Sequence, residues 1–301
     1  MDSDNWQLQA YLDHQLTQIE AALNKYLPGS TTRPARLHEA MRYSVLGGGK
    51  RIRPVMLLAA CEAVGGNMQE AMPAACAVEM IHAYSLIHDD LPAMDNDDMR
   101  RGRPTNHKVF GEATAILAGD GLLTEAFILL SRLDTMDTVP ANARLEIVNL
   151  LATHAGTRGM VGGQMVDMEV EGTAIDLPTL EYIHTHKTGA LIKVAVEIGA
   201  IIGGATQQQR DALQRYAAAT GLAFQIADDI LDIIAAPAAL GKRIGSDQQR
   251  GKATYPALLG LSEARRRADE MNAIAIRALD LFGNEAQPLR AIARYIVDRS
   301  H

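Results

Sequence analysis

Aspartates inside an otherwise apolar helix constrain this chain more than any other feature of it. The stretch Gly221-Leu-Ala-Phe-Gln225-Ile-Ala-Asp228-Asp229-Ile-Leu-Asp232-Ile-Ile234 is helix-compatible throughout. At 3.6 residues per turn Asp228 and Asp232 share a face, and Asp229 lies within reach of Asp232. A helix otherwise made of Leu, Ile, Ala and Phe cannot present them to solvent, and buried charges are paired or bind metal. An earlier stretch repeats the theme. Pro73 opens a long apolar run that reaches Ile87 and leads into Asp89, Asp90, Asp95, Asp97 and Asp98, with Pro92 predicted to end the helix. Asp89 and Asp90 then fall in or near the last turn, where the macrodipole is already negative and adjacent anions repel. A cation would reverse the sign of that repulsion. Alone, this run reads as a solvated acidic turn. The second occurrence favours two helices facing each other across a metal-lined cavity.

Oxygen-only donors favour Mg²⁺, Mn²⁺ or Ca²⁺ over zinc or copper. An EF-hand is excluded, because counting from Asp95 puts Arg100 at the sixth position and Asn106 at the twelfth. Magnesium keeps waters and takes one or two protein carboxylates plus substrate phosphates, so the pattern asks for a phosphate-bearing ligand. Cations to hold one are at hand. Gly47-Gly48-Gly49-Lys50-Arg51-Ile52-Arg53-Pro54 is either a helix C-cap with a basic turn or a phosphate cradle of flexible N–H groups beside fixed cations. It is not a Walker A loop, since Arg51 follows the lysine and Ser44 stands where the first glycine belongs. Arg100, Arg101 and Arg103 follow the first acidic run, where guanidinium forks suit both carboxylate and phosphate. Lys187-Thr188 interrupts an apolar helix, and the lysine either snorkels to the surface or faces the cavity. Residues 240–256 carry Lys242, Arg243, Arg250 and Lys252 among three glycines with no apolar period, as expected of a lid loop. Gln164, Asp167, Glu169 and Glu171 read as surface and capping residues.

The chain has 301 residues, 48% of them hydrophobic, which is ample for a sizeable core. Leu8, Leu12, Leu16, Ile19 and Leu23 follow a helical period. Residues 37–46, 55–64, 106–130, 141–155 and the tail from 258 also read as helices. With no strand alternation and no Pro- or Gly-rich linker, one all-α domain over residues 1–301 is expected. A net charge of −7 argues against nucleic acid as a partner. Cys61 and Cys76 sit in apolar helical stretches and are expected to be reduced core thiols. The acidic first residues lack a basic n-region and apolar h-region, so no signal peptide is expected. The best apolar run, 190–205, is broken by Lys193 and Glu197, so the chain is expected to be cytoplasmic and not membrane-spanning.

Taken together, these motifs resemble the trans-isoprenyl diphosphate synthases over nearly the whole chain. Asp89-Asp90-(four residues)-Asp95 and Asp228-Asp229-Ile-Leu-Asp232 are similar to that family's first and second aspartate-rich motifs. The Gly-Gly49-Lys50-Arg51-Ile-Arg53-Pro turn, His82, Arg100-Arg101, Lys187-Thr188, Gln225 and Lys242 match its pattern in order. The four-residue gap in the first motif is similar to bacterial members that make farnesyl diphosphate. The resemblance implies a helical bundle around a central metal-lined, apolar cavity, assembled as a homodimer. It also implies condensation of isopentenyl diphosphate with dimethylallyl and geranyl diphosphate. Asp89, Asp90, Asp95, Asp228, Asp229 and Asp232 would hold up to three Mg²⁺, with Mn²⁺ as a substitute. Arg100, Lys187 and Lys242, with Lys252 from the same loop, would grip the allylic diphosphate. Gly49, Lys50, Arg53, His82 and Arg101 would bind isopentenyl diphosphate. Thr188 and Gln225 would stand beside the developing allylic cation and, with Lys187, make up the catalytic set.

Chain length would be set below the first motif. Tyr84 precedes Asp89 by five residues, a turn and a half or roughly 7.5 Å deeper, and its ring would be a floor under a fifteen-carbon tail. Ser85 is too small for that part. A terpene cyclase normally replaces the second motif with an Asn/Ser/Glu-type metal motif and has no need of Lys50 and Arg53. A synthase of longer chains conflicts with Tyr84. A non-enzymatic helical subunit would need a lost motif, and none is lost.

Overall fold

The computed structural model describes residues 3–234 and 253–298. Helices make up almost all of it: α1 (Ser3–Tyr26), α2 (Ala35–Val45), α3 (Ile52–Ala63), α4 (Met68–Asp89), α5 (Asn106–Phe110), α6 (Glu112–Ser131), α7 (Ala141–Ala155) and α8 (Met160–Glu169), then α9 (Leu177–Ile183), α10 (Ala190–Ile202), α11 (Gln207–Ile234), α12 (Tyr255–Leu259), α13 (Leu261–Ala278) and α14 (Gln287–Asp298). The expected all-α fold is the one observed. Lys242 and Lys252 lie outside the described residues.

Three helices form the inside. Every residue of α4 from Ala71 to Ile81 is buried, as are Pro54–Cys61 of α3 and nearly all of α10. A helix apolar all round must be surrounded by others. Accordingly α3 packs on both α4 and α10, α6 covers α4, and α11 lies between α10 and α13. Small side chains bring the axes close. A Cβ at Gly199 of α10 would lie 2.1 Å from the Leu57 carbonyl oxygen and 3.1 Å from the Ala60 Cβ of α3.

Local departures from the sequence reading have physical causes. Helix α4 begins at Met68, capped by Asn67, whose side chain accepts from the Gln69 N–H at 3.0 Å. Pro73 therefore lies inside the helix and does not open it. Burial on all sides outweighs the one backbone bond it forgoes. The expected helix over 106–130 is divided by Gly111, at φ 86°. Residues 160–169 form helix α8 where only an acidic surface segment was expected. A two-residue hairpin, β1 (Met99–Arg100) with β2 (Arg103–Pro104), closes on Arg101 and Gly102, both at positive φ. Strands this short leave no alternation to read. Finally, α6, and not 190–205, is the described helix long and apolar enough to cross a membrane. It lies packed along α2, α4 and α5, and Asp120 and Glu125 interrupt it.

Substituting Gly199→Ala should overpack the α3–α10 contact and lower stability by about 1–3 kcal/mol in urea denaturation. An unchanged midpoint would show that the two backbones can separate freely.

Candidate active site

The first aspartate motif sits where the sequence placed it. Asp89 ends α4, Asp90 is its C-cap, and the loop folds back so that the Asp95 N–H donates to the Asp89 carbonyl at 2.8 Å. Burial pushes the Asp89 carboxyl up, and the nearby Asp95 and Asp90 charges add to the shift, while Lys187 and Arg100 oppose it. Asp90 is turned inward and engages Arg100, whose Nε lies 2.8 and 2.9 Å from its two oxygens. Asp90 thus forms a buried bidentate pair within the chain.

Facing this end of α4 is the Lys187-Thr188 element. The helix runs on from Leu177 to Ile202, but His184–Gly189 is wound as a π-helix, a form common at functional sites. The wider turn lets Lys187 donate to Asp167 Oδ2 of α8 at 2.7 Å while its charge also acts on Asp89. Lys187 therefore faces the cavity and does not snorkel. Lys187, Thr188, Gln225, Asp229 and Asp167 line one cavity between α8, the π-helix and α11. Asp229 is buried and accepts from His184 Nε2 at 3.1 Å and from the Tyr255 N–H at 2.9 Å. Asp228, on the same helix, acts electrostatically on Arg53, so the second motif also reaches the glycine turn. Asp232 lies one turn further along α11, partly buried.

The glycine turn is a built feature. Gly48 and Gly49 have φ of 84° and 139°, and a Cβ at Gly49 would collide with the Arg101 guanidinium. That guanidinium donates to the Gly48 carbonyl, which ties the hairpin to the turn. Lys50 is exposed, and the buried Nε of Arg53 has no hydrogen-bond partner among the described residues. His82 lies largely buried beside these cations. Burial, and then Arg53, Arg101, Arg100 and Arg51 in that order, hold its pKa well below 6.5. The imidazole thus stands among four guanidinium groups. Below the first motif Tyr84 is buried, with its ring edge-on to His88 at 5.7 Å between centroids.

The sequence pattern of the polyprenyl synthetase family matches residues 34–280. The chain belongs to that family. It is 50% identical over 294 residues to the farnesyl diphosphate synthase of Geobacillus stearothermophilus, covering 98% of each chain. The geranylgeranyl diphosphate synthase of Cyanophora paradoxa is 47% identical, covering 99% of this chain and 98% of its own. Among solved structures, an FPP/GFPP synthase from Zymomonas mobilis superposes with a TM-score of 0.86 at 43% identity, covering 97% of this chain and 99% of that one. As a polyprenyl synthetase the protein is a transferase of the short-chain prenyltransferase class.

Synthetases of this family generally use divalent metal, and the residues present fit one. Asp89, Asp90 and Asp95 crowd anions at a negative helix end, in a setting that disfavours the charged form of Asp89. A cation relieves both penalties. Among the described residues no three His, Cys, Asp or Glu side chains converge into a complete cation site.

Asp167 and His184 are site residues that the sequence reading missed. A signal for Asp167 existed. Met160, Gly163 and Asp167 fall at i, i+3 and i+7 of α8, so the carboxylate occupies the core-facing register. His184 could be found only once Tyr255 and α11 were in place around it.

His82 makes stability depend on pH. Below about pH 6.5 the unfolded chain binds a proton at this position that the folded chain refuses, so stability of the ligand-free protein falls as pH drops. His82→Gln should remove that contribution, narrowing the loss of Tm between pH 7 and 5 relative to the parent. Parallel curves would mean that His82 is protonated in the fold.

Proposed function

We propose that this polyprenyl synthetase condenses isopentenyl diphosphate with dimethylallyl and then geranyl diphosphate, releasing diphosphate and (2E,6E)-farnesyl diphosphate. The observation carrying the chain length is the buried Tyr84 ring beneath Asp89. The 50% identity to a farnesyl diphosphate synthase supports it. A twenty-carbon product is the second reading, favoured by relatives named geranylgeranyl synthases at nearly the same identity.

Magnesium, up to three ions held between Asp89, Asp90 and Asp95 and Asp228, Asp229 and Asp232, would supply Lewis-acid stabilisation of the leaving diphosphate. Asp90 and Asp229 also hold their own chain, the first on Arg100 and the second on His184 and Tyr255. Lys187 and Arg100, preorganised by Asp167 and Asp90, neutralise the allylic diphosphate as its C–O bond breaks. Thr188 and Gln225 lie along the path of the allylic carbon, in a cavity where Val170, Ile175, Leu180 and Ile183 alternate with the charged and polar side chains. Gly49, Lys50, Arg53, His82 and Arg101 hold the second diphosphate, so that the homoallylic double bond meets the allylic C1. The new C–C bond forms as that cation is consumed, and the proton lost goes to the departed diphosphate.

A homodimer belongs to the same proposal. Helix α6 leaves Ile116, Leu117 and Ile128 exposed at 44%, 57% and 42%, an apolar stripe that a second copy could bury. Leu117→Asp should shift sedimentation from dimer to monomer. Failure of the parent to sediment as a dimer would refute the assembly.

For the reaction, purified protein with both five-carbon diphosphates and Mg²⁺ should give a fifteen-carbon alcohol after dephosphorylation, and none with a chelator. Tyr84→Ala should lengthen the product past fifteen carbons. An unchanged chromatogram for the variant would remove Tyr84 as the floor, and a twenty-carbon product from the parent would establish the second reading.

A further inference from the structure

Lys50 and Arg53 flank a residue that points the other way. Arg51 is the N-cap of α3, and its backbone is left-handed at φ 48° and ψ 34°, a region few residues other than glycine adopt. Its guanidinium is fully buried. Nη1 donates to Glu79 Oε1 at 2.6 Å, Nε to Glu20 Oε1 at 2.8 Å, and Nη2 to the Val45 carbonyl. Those acceptors belong to α4, α1 and α2, so one side chain ties three helices to the glycine turn.

A buried ion pair is a weak source of stability, because apolar side chains of the same volume often do as well. What a guanidinium fork adds is direction. Three fixed acceptors hold Arg51 in its left-handed conformation, and the chain on either side is oriented by it. Lys50 is left exposed, and Arg53, in the first turn of α3, has a buried Nε with no partner among the described residues. Glu79 lies one turn before His82 on α4, and its charge acts on Arg51, Arg53 and Arg101. It is a buried anion standing, with Glu20 and Asp228, among the cations that would receive a diphosphate.

We propose that Arg51 and Glu79 are positioning residues, whose buried pair fixes the left-handed turn that aims Lys50 and Arg53 at the diphosphate of isopentenyl diphosphate. Neither touches the substrate. This inference rests on the assignment of the turn to that substrate given above. Arg51→Lys keeps the charge and loses the fork, and Glu79→Gln keeps the shape and loses the anion.

Each variant should raise the KM for isopentenyl diphosphate at least tenfold. The KM for geranyl diphosphate and kcat at saturation should stay within about threefold, and the double variant should be no worse than the weaker single one. Calorimetric titration of the full chain with isopentenyl diphosphate and a chelator should show the same loss of affinity without turnover. Unchanged affinity, or a proportional fall in kcat and in the affinity for both substrates, would overturn the proposal. Should Arg51→Lys not fold, Glu20→Gln at the half-buried edge of the triad carries the same test, with a shift of several-fold. A parent protein that neither binds isopentenyl diphosphate nor forms product would refute the functional reading itself. Normal parent behaviour with indifferent variants would refute only the positioning role.

Discussion

Charge of both signs has been taken out of bulk water at one end of this helical bundle, and the rest of the architecture serves that arrangement. Asp89 and Asp90 at the end of α4 meet Lys187 and Arg100, while Asp228 reaches toward Arg53. Isolated, each of these groups would be too costly to bury. Together they form an alternating field of carboxylates and cations, the arrangement on which the proposed binding of a metal ion and a diphosphate rests. The inner helices α3, α4 and α10 can be almost wholly apolar because the polar chemistry is confined to their ends and to the π-wound junction.

Several side chains with the same composition have different duties. Asp89 and Asp90 are neighbours, yet one is raised by burial and the other is locked to Arg100. Lys50, Arg51 and Arg53 are consecutive cations of one turn. One is exposed, one is paired inside the bundle, and one carries a nitrogen with no partner among the described residues. Spacing alone does not tell them apart. The division of labour follows from which neighbouring helix offers a counter-charge.

Much of the fold and site was legible in advance, for a physical reason. Apolar runs with a helical period report burial directly, so α1, α3 and α7 fall near their expected places, while α11 contains the expected stretch from Gly221 but begins already at Gln207. Carboxylates inside such runs report a site, because burial of unpaired charge is forbidden. What could not be read were features without a period of their own. The hairpin at Met99–Pro104 is too short to alternate, and the cap at Asn67 outweighs the local preference of Pro73. The role of Asp167 depends on a lysine twenty residues away on another helix.

By itself the sequence determined an all-helical chain with two aspartate clusters and a basic glycine turn, a pattern that asks for a cation and a phosphate-bearing ligand. Each of these is written in local composition and in spacings of a few residues, which a helix converts directly into faces. The tertiary structure decided which charges meet. It set Lys187 between Asp167 and Asp89, closed Asp229 with His184 and the Tyr255 backbone, and turned Arg51 inward to Glu20 and Glu79. Such pairings join residues far apart in the chain, and only the packing of one helix on another brings their counter-charges within hydrogen-bond reach.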